Sequence, residues 1–454
     1  MAGPEEDLNG SRTLIALARR LGYACLKDQR LLEANLKNEA VQDGVNRLEA
    51  LIARIDPEDW QRAPRRGYVS LLGDPEIQKL LSGFESLDPV AHLAILRGLC
   101  PGALDLFFSR FKGCLDLTCG VPIPNATRPV QSIFGDNTTP YQQSMTARLL
   151  LYRTGFDLFT EIDPSITVAI DFSHRERLDS ITWTSNGLPL VGAVHSRLDQ
   201  GRLRYSVSGQ RVFDVGPKSW SIQETSRCLA AVKRAQIAVL PELSLPSPTA
   251  LEGELAKNHK LYSPMVVAGS AHALLDDHGQ KLRVNESRVY IDGATVLRHR
   301  KIRPLETQAI GNARYENLIR EDLRPKQSRI TLLSGEKTRM AVVICSDLVD
   351  RGIPRVLEEC GVNLLLVPSL TYKTGSFNGQ VCKLASSSQA FSVVVNPVLD
   401  RLKSQRKGPF TTIAAVPHSS ANQQSREYFL PRGQKETFAV LDPNRPLAAA
   451  LRWG

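Results

Sequence analysis

Three stretches of the chain end an apolar run on a residue that can do chemistry. Ala235-Gln236-Ile237-Ala238-Val239-Leu240-Pro241-Glu242 runs into a carboxylate. The hairpin Ser287 to Lys301, with Asp292-Gly293 at its turn, closes its second strand on an ammonium. Thr338 to Asp347 carries the unbroken run Met340 to Ile344, which stops at the thiol of Cys345. Singly, each has a plain structural reading: Glu242 as a loop carboxylate, Lys301 as a solvated hairpin residue, Cys345 as one more small core residue. Together they place a carboxylate, an ammonium and a thiol at three strand ends, in that order. The carboxyl end of a buried strand is where α/β proteins put their reacting groups, and a cysteine there is a candidate nucleophile.

The elements that must position these groups follow from hydrophobic pattern. Short unbroken apolar runs are strands buried on both faces, and an Asp-Gly pair between two strand patterns is a two-residue hairpin turn. From Ile166 onward the chain reads as strands at Thr167–Asp171, Pro189–Val194, Met265–Ala271, Val362–Ser369, Phe391–Pro397, Thr411–Val416 and Glu436–Leu441. Helical patterns cover Ser221–Arg234 and Ile353–Cys360. Strands alternating with helices, then hairpins, predict a layered α/β sheet domain. Residues from about 11 to 160 read instead as helices: Leu14, Leu17 and Leu21 recur at helical spacing, Asp74-Pro75 and Asp88-Pro89 are helix starts, and Tyr141–Phe159 closes the series. Cys119–Pro140, rich in proline, asparagine and threonine, reads as loop. The expected organisation is an all-α domain over residues 1–160 followed by the α/β domain over 165–454.

The ordered set Glu242, Lys301 and Cys345 resembles the Glu-Lys-Cys triad of the carbon-nitrogen hydrolase (nitrilase) superfamily. The resemblance spans roughly residues 165–454 and extends to Gly269-Ser270, Asp292-Gly293, Val367-Pro368-Ser369 and Val395-Asn396. It implies an α-β-β-α sandwich and a hydrolase of non-peptide carbon-nitrogen bonds, amide before nitrile because amidases are the commoner branch. It also implies a small-molecule substrate and homo-oligomers. On this reading Cys345 attacks carbon to form a thioester, Glu242 shuttles the proton, and Lys301 with the backbone N–H of Ser346 holds the oxyanion. The chemistry needs no metal or organic cofactor. Glu306, five residues past Lys301, is expected to match a further family glutamate that positions substrate and lysine, with a salt bridge to Arg303 or Arg314 as the plain alternative. Asp347 is expected to bond the amides of the elbow. His299 shares a strand face with Lys301 and is expected to be a packed or surface histidine.

The chain departs from the family pattern at several points. Ser346 stands where an aromatic residue is common, Leu384 to Gln389 lacks the usual Ala-x-Glu-Asn segment, and Asp199–Pro217 is a long insertion.

Composition bounds the remaining possibilities. At 454 residues the chain exceeds one typical core. No apolar run approaches bilayer length and the N-terminus is acidic, so the expectation is a cytoplasmic protein without a membrane partner. Eight cysteines are scattered, without a Cys-x-x-Cys pair, which argues against structural zinc and for reduced thiols. The formal charge of +10 is dispersed and no nucleic-acid motif accompanies it, so solvated surface is preferred to a nucleic-acid site. A second functional reading is a nitrilase-like interaction or effector module, as in bacterial defence proteins, with the helical domain as sensor or docking surface.

Overall fold

The computed structural model describes residues 113–117, 122–124 and 156–158 and, with short gaps, 165–454. The chain divides into two compact units. Of the first, the structure describes little beyond two three-residue strands, Pro122–Pro124 and Phe156–Leu158, paired antiparallel. The helix expected over Tyr141–Phe159 therefore does not include its last residues, and the loop expected over Cys119–Pro140 contains a strand. The backbone groups of both segments bond to each other instead. Cys114–Asp116, inside the stretch expected as helical, is also a strand and pairs with Ile166–Asp171 in the second unit. The other helices expected between residues 11 and 160 lie outside the described residues.

The second unit is a mixed α/β sandwich. One sheet has eight strands, in the order Cys114–Asp116, Ile166–Asp171, Ser328–Ser334, Arg339–Val342, Leu364–Pro368, Phe391–Val395, Phe410–Ala415 and Ser425–Phe429. The other has seven: Ala294–Arg300, Gln280–Ile291, Met265–Asp277, Ile237–Val239, Val191–Val194, Phe438–Leu441 and Leu451–Trp453.

Strand alternation explains how the sheets pack. Ile237, Val239, Met265, Val267, Val289 and Ile291 join Met340, Val342, Leu364, Leu366, Phe391 and Val393 in one buried cluster between the sheets. The intervening residues Ala238, Leu240, Val266, Ala268 and Tyr290 face the opposite way. They are covered by Cys228 and Leu229 of the helix Ile222–Ala231 and by Leu251 and Leu255 of Pro248–Asn258. The helices Ile353–Glu359 and Gly375–Ser387 pack on the eight-stranded sheet. Both faces of the central strands Ile237–Val239, Arg339–Val342, Leu364–Pro368 and Phe391–Val395 are thus dry, which is why they read as unbroken apolar runs rather than alternations. The result is the expected α-β-β-α layering.

Two local devices aim strand ends at one place. Met265–Asp277 runs parallel to Ile237–Val239, and Ala294–Arg300 returns to that direction after two antiparallel turns. Their carboxyl ends, which lead to Glu242 and Lys301, therefore lie along the same edge. The register of Met265–Asp277 against Gln280–Ile291 shifts between Val267 and Ser270, and Gly269 sits in that bulge at φ +74°. A Cβ at Gly269 would strike the carbonyl oxygen of Pro241 and the hydroxyl of Ser244, so the glycine lets the Glu242 loop lie against the strand. Gly269→Ala is expected to lower stability in urea denaturation by more than about 1 kcal/mol, because it adds both an unfavourable φ and a backbone clash.

Candidate functional site

Glu242, Lys301 and Cys345 converge. Lys301 follows the end of Ala294–Arg300, and its backbone N–H bonds the carbonyl of Asn285 at 2.8 Å. Its Nζ lies 2.8 Å from Glu242 Oε1 and 2.7 Å from Glu321 Oε2. The Glu242 carboxyl and the Cys345 thiol lie close enough to act on each other's charge. The Ser369 hydroxyl donates to Cys345 Sγ at 3.7 Å, and the thiol reaches the Leu370 carbonyl at 3.7 Å. The backbone N–H of Glu242 donates to the Ser369 carbonyl at 3.2 Å, joining the two sheets at the site. All three expected residues are buried: Glu242 is 3% exposed, Lys301 2% and Cys345 3%.

Cys345 sits on a strained elbow. Cys345 has φ +48°, in the left-handed region that a residue with a Cβ rarely adopts. It opens a short 3-10 turn, Cys345–Val349. The buried carboxylate of Asp347 clamps that turn by accepting from the Ile344 N–H at 3.3 Å. It also accepts from the N–H groups of Ile302 at 3.0 Å and Arg303 at 2.8 Å, and pairs with His299 Nε2 at 3.3 Å. Asp347 thus bonds the elbow amides, as expected, and ties the elbow to the segment just after Lys301. His299 is buried and packed against Asp347. The Ser346 hydroxyl donates to the Arg303 carbonyl at 2.8 Å, so its side chain braces the same junction.

Glu306 is not brought to the site. It is exposed, and among the described side chains its carboxylate pairs with Arg320 at 3.8 Å. The place beside Lys301 is taken by Glu321, buried at the end of the strand Ala313–Glu321. That strand pairs with Glu306–Ile310 and, in parallel, with Val212–Val215 from inside the Asp199–Pro217 insertion. These strands and Tyr205–Ser208 form a separate four-stranded sheet. Sequence reasoning missed Glu321 because Arg320-Glu321-Asp322 looks like a solvated charge run. It missed Asn285 too, whose Nδ2 donates to Glu242 Oε1 at 2.9 Å and to Glu321 Oε1 at 3.2 Å. The available signal was polarity out of place at His272, between Ala271 and Ala273; Asn285, within Arg283-Val284-Asn285-Glu286-Ser287, gave none.

Charge is distributed unevenly over the two glutamates. Burial and the neighbouring Glu321 push the Glu242 carboxyl above the usual range, against the pull of Lys301. Burial acts the same way on Glu321, but Lys301 and His272 outweigh it and hold this carboxyl well below the usual range. Burial alone would lower the Lys301 ammonium, and the two carboxylates reverse this and hold it well above its usual value. Burial, reinforced by Glu242, pushes the Cys345 thiol up against Lys301. One site therefore holds a carboxyl held low, an ammonium held high, and a carboxyl and a thiol both pushed up. Among the described residues, no three His, Cys, Asp or Glu side chains are grouped to hold a metal ion, and no helix is long and apolar enough to cross a membrane.

Comparison with known proteins gives structural neighbours only. No family model and no curated protein matches the chain. Among solved structures it is similar to Saccharomyces cerevisiae Nit3, a member of branch 10 of the nitrilase superfamily, with 15% identity, 57% of this chain and 92% of that chain covered, and TM-score 0.35. It is similar to the Nesterenkonia AN1 amidase from the nitrilase superfamily at 13% identity, covering 57% and 91%, with TM-score 0.36. It also resembles a glutamine-dependent NAD+ synthetase from Acinetobacter baumannii at 14% identity, covering 56% and 46%, with TM-score 0.36.

Two substitutions separate tuning from positioning. Glu321→Gln removes the anion that competes for Lys301, so Glu242 ionises more easily. The acid limb of Cys345 alkylation by iodoacetamide is expected to move to lower pH. Asp347→Asn turns one acceptor into a donor facing backbone N–H groups. It is expected to cost about 1–3 kcal/mol in urea denaturation and to slow alkylation without moving that limb.

Proposed function

We propose that the second unit is a cysteine-dependent hydrolase of non-peptide carbon-nitrogen bonds, acting on small amides through Glu242, Lys301 and Cys345. The observation that carries this reading is the buried Lys301–Glu242 hydrogen bond at 2.8 Å beside a Cys345 thiol on a strained strand end, with carboxyl and thiol acting on each other's charge. A lysine pinned between two carboxylates is a costly arrangement, and a buried thiol whose partner is a carboxyl of raised pKa has a base within reach.

The reaction runs in two halves. As Cys345 Sγ bonds to the carbonyl carbon, its proton passes to Glu242, and the carbonyl oxygen takes the negative charge. Lys301 Nζ and the Ser346 N–H stabilise that oxyanion. Glu242 then gives the proton to the leaving nitrogen, the C–N bond breaks, and ammonia or an amine departs, leaving the thioester. Water attacks the thioester carbon while Glu242 takes one of its protons. The C–S bond breaks, the thiol recovers the proton, and the carboxylic acid leaves. Each half uses Glu242 once as base and once as acid, a task that suits a carboxyl held above its ordinary range.

Native-state alkylation with iodoacetamide, with the adduct located by mass spectrometry, tests the nucleophile. Cys345 is expected to react faster than buried Cys228 and Cys360, and Glu242→Gln to slow it by about 100-fold or more. Equal, slow labelling of the three thiols would overturn the proposal. Ammonia release from a panel of small primary amides is expected to vanish in Cys345→Ala. In the wild type, kcat/KM should rise with pH through an apparent value above the ordinary glutamate range, because only ionised Glu242 can take the thiol proton.

A further inference from the structure

We propose that His272 is a positioning residue of this site, acting through Glu321, and that its protonation sets the pH at which the Glu242–Cys345 pair becomes reactive. The inference rests on the hydrolase reading above, because that reading identifies the reactive pair.

His272 lies on Met265–Asp277, past the bulge at Gly269, directly opposite Asn285 on the neighbouring strand. Directly opposed residues project from the same sheet face, and both reach Glu321. His272 Nε2 is 2.9 Å from Glu321 Oε1, and Asn285 Nδ2 is 3.2 Å from the same oxygen. Glu321 Oε2 takes Lys301 Nζ at 2.7 Å and the Leu305 N–H at 2.9 Å. Of these four donors, two are amides and one is an ammonium held charged by two carboxylates. His272 is the donor that can exist both neutral and charged. The His272 side chain is only 10% exposed and that of Glu321 3%, so solvent screens their interaction weakly.

Among the described residues, the charged groups near this pair have partners of their own. Arg283, on the same face of the neighbouring strand, lies 3.0 Å from Asp322, and Glu242 and Lys301 lie beyond Glu321. A proton added to His272 is therefore felt first by Glu321. The imidazolium neutralises that carboxylate, Lys301 is drawn less strongly toward it, and Glu242 becomes easier to ionise. With His272 neutral, the full charge of Glu321 opposes ionisation of Glu242. A side chain that donates the same hydrogen bond without ever charging fixes the site in this second state.

His272→Gln does this, and its test needs no substrate. The rate of Cys345 alkylation by iodoacetamide is measured from pH 4 to 9 on the full chain, each profile scaled to its own plateau. The acid limb of His272→Gln is expected to lie about 0.5–1 pH unit above that of the wild type. In a Glu321→Gln background, adding His272→Gln is expected to move the limb no further, because the residue through which the histidine acts is already neutral. A merely structural histidine would lower thermal stability and the plateau while leaving the limb in place. Coincident limbs overturn the inference, as does an equal shift in the two backgrounds. Should His272→Gln not fold, His272→Asn takes its place, with the same outcomes. Failure of the parent reading looks different: Cys345 of the wild type then labels no faster than Cys228, or labels independently of Glu242.

Discussion

The site depends on the burial of one ammonium between two carboxylates. Lys301 is almost wholly removed from water, and taking a charge out of water costs several kcal/mol unless partners replace the solvent. Glu242 and Glu321 do so at 2.8 and 2.7 Å. Breaking such a buried arrangement from one side costs about 3–5 kcal/mol, since an uncompensated charge stays behind. The three residues come from three places: a loop after a central strand, the end of an edge strand, and the end of a strand in a separate small sheet. The same interaction therefore both fastens these elements together and sets the charge state of the site.

The two carboxylates share a cation yet carry different states, and the difference lies in their other partners. Glu321 receives donors on both oxygens, from His272, Asn285, Lys301 and the Leu305 backbone. So many donors favour the ionised form. Glu242 accepts from Lys301 and Asn285 on a single oxygen, Oε1. Burial and the neighbouring anion then dominate and push it up. Two chemically identical groups are driven in opposite directions, Glu321 down and Glu242 up, in line with the count of N–H groups aimed at each.

Much of this was legible in the sequence. The unbroken runs around Val239, Met265 and Val342 reported strands dry on both faces, and the Asp292-Gly293 pair located the hairpin that ends at Lys301. The two turn residues have φ +49° and +84°, the mirror-image turn that this pair favours. Ser221 and Glu224 form the capping box at the start of Ile222–Ala231. Glu321 was not legible, because its role depends on long-range pairing. A glutamate within a charge run is buried only after Val212–Val215, more than a hundred residues upstream in chain order, pairs alongside it. Proximity along the chain favoured Glu306 instead, but that residue begins its strand on the solvent side and pairs across to Arg320.

The insertion and the elbow answer related physical problems. Strain at Cys345 persists only if its surroundings fix the backbone more firmly than the strain disfavours it. Asp347 supplies this, gathering the amides of Ile344, Ile302 and Arg303 around one carboxylate, so the thiol and the lysine segment share a single anchor. The backbone of Glu321 belongs to neither sheet of the sandwich but to the separate four-stranded sheet. The insertion anchors it by a different route. Phe213 pairs with Glu321, and the Glu321 N–H bonds the Leu305 carbonyl, so its backbone is held from both sides. A segment that reads as a loop-length excess in the sequence is therefore part of the scaffold that keeps the second carboxylate within reach of Lys301.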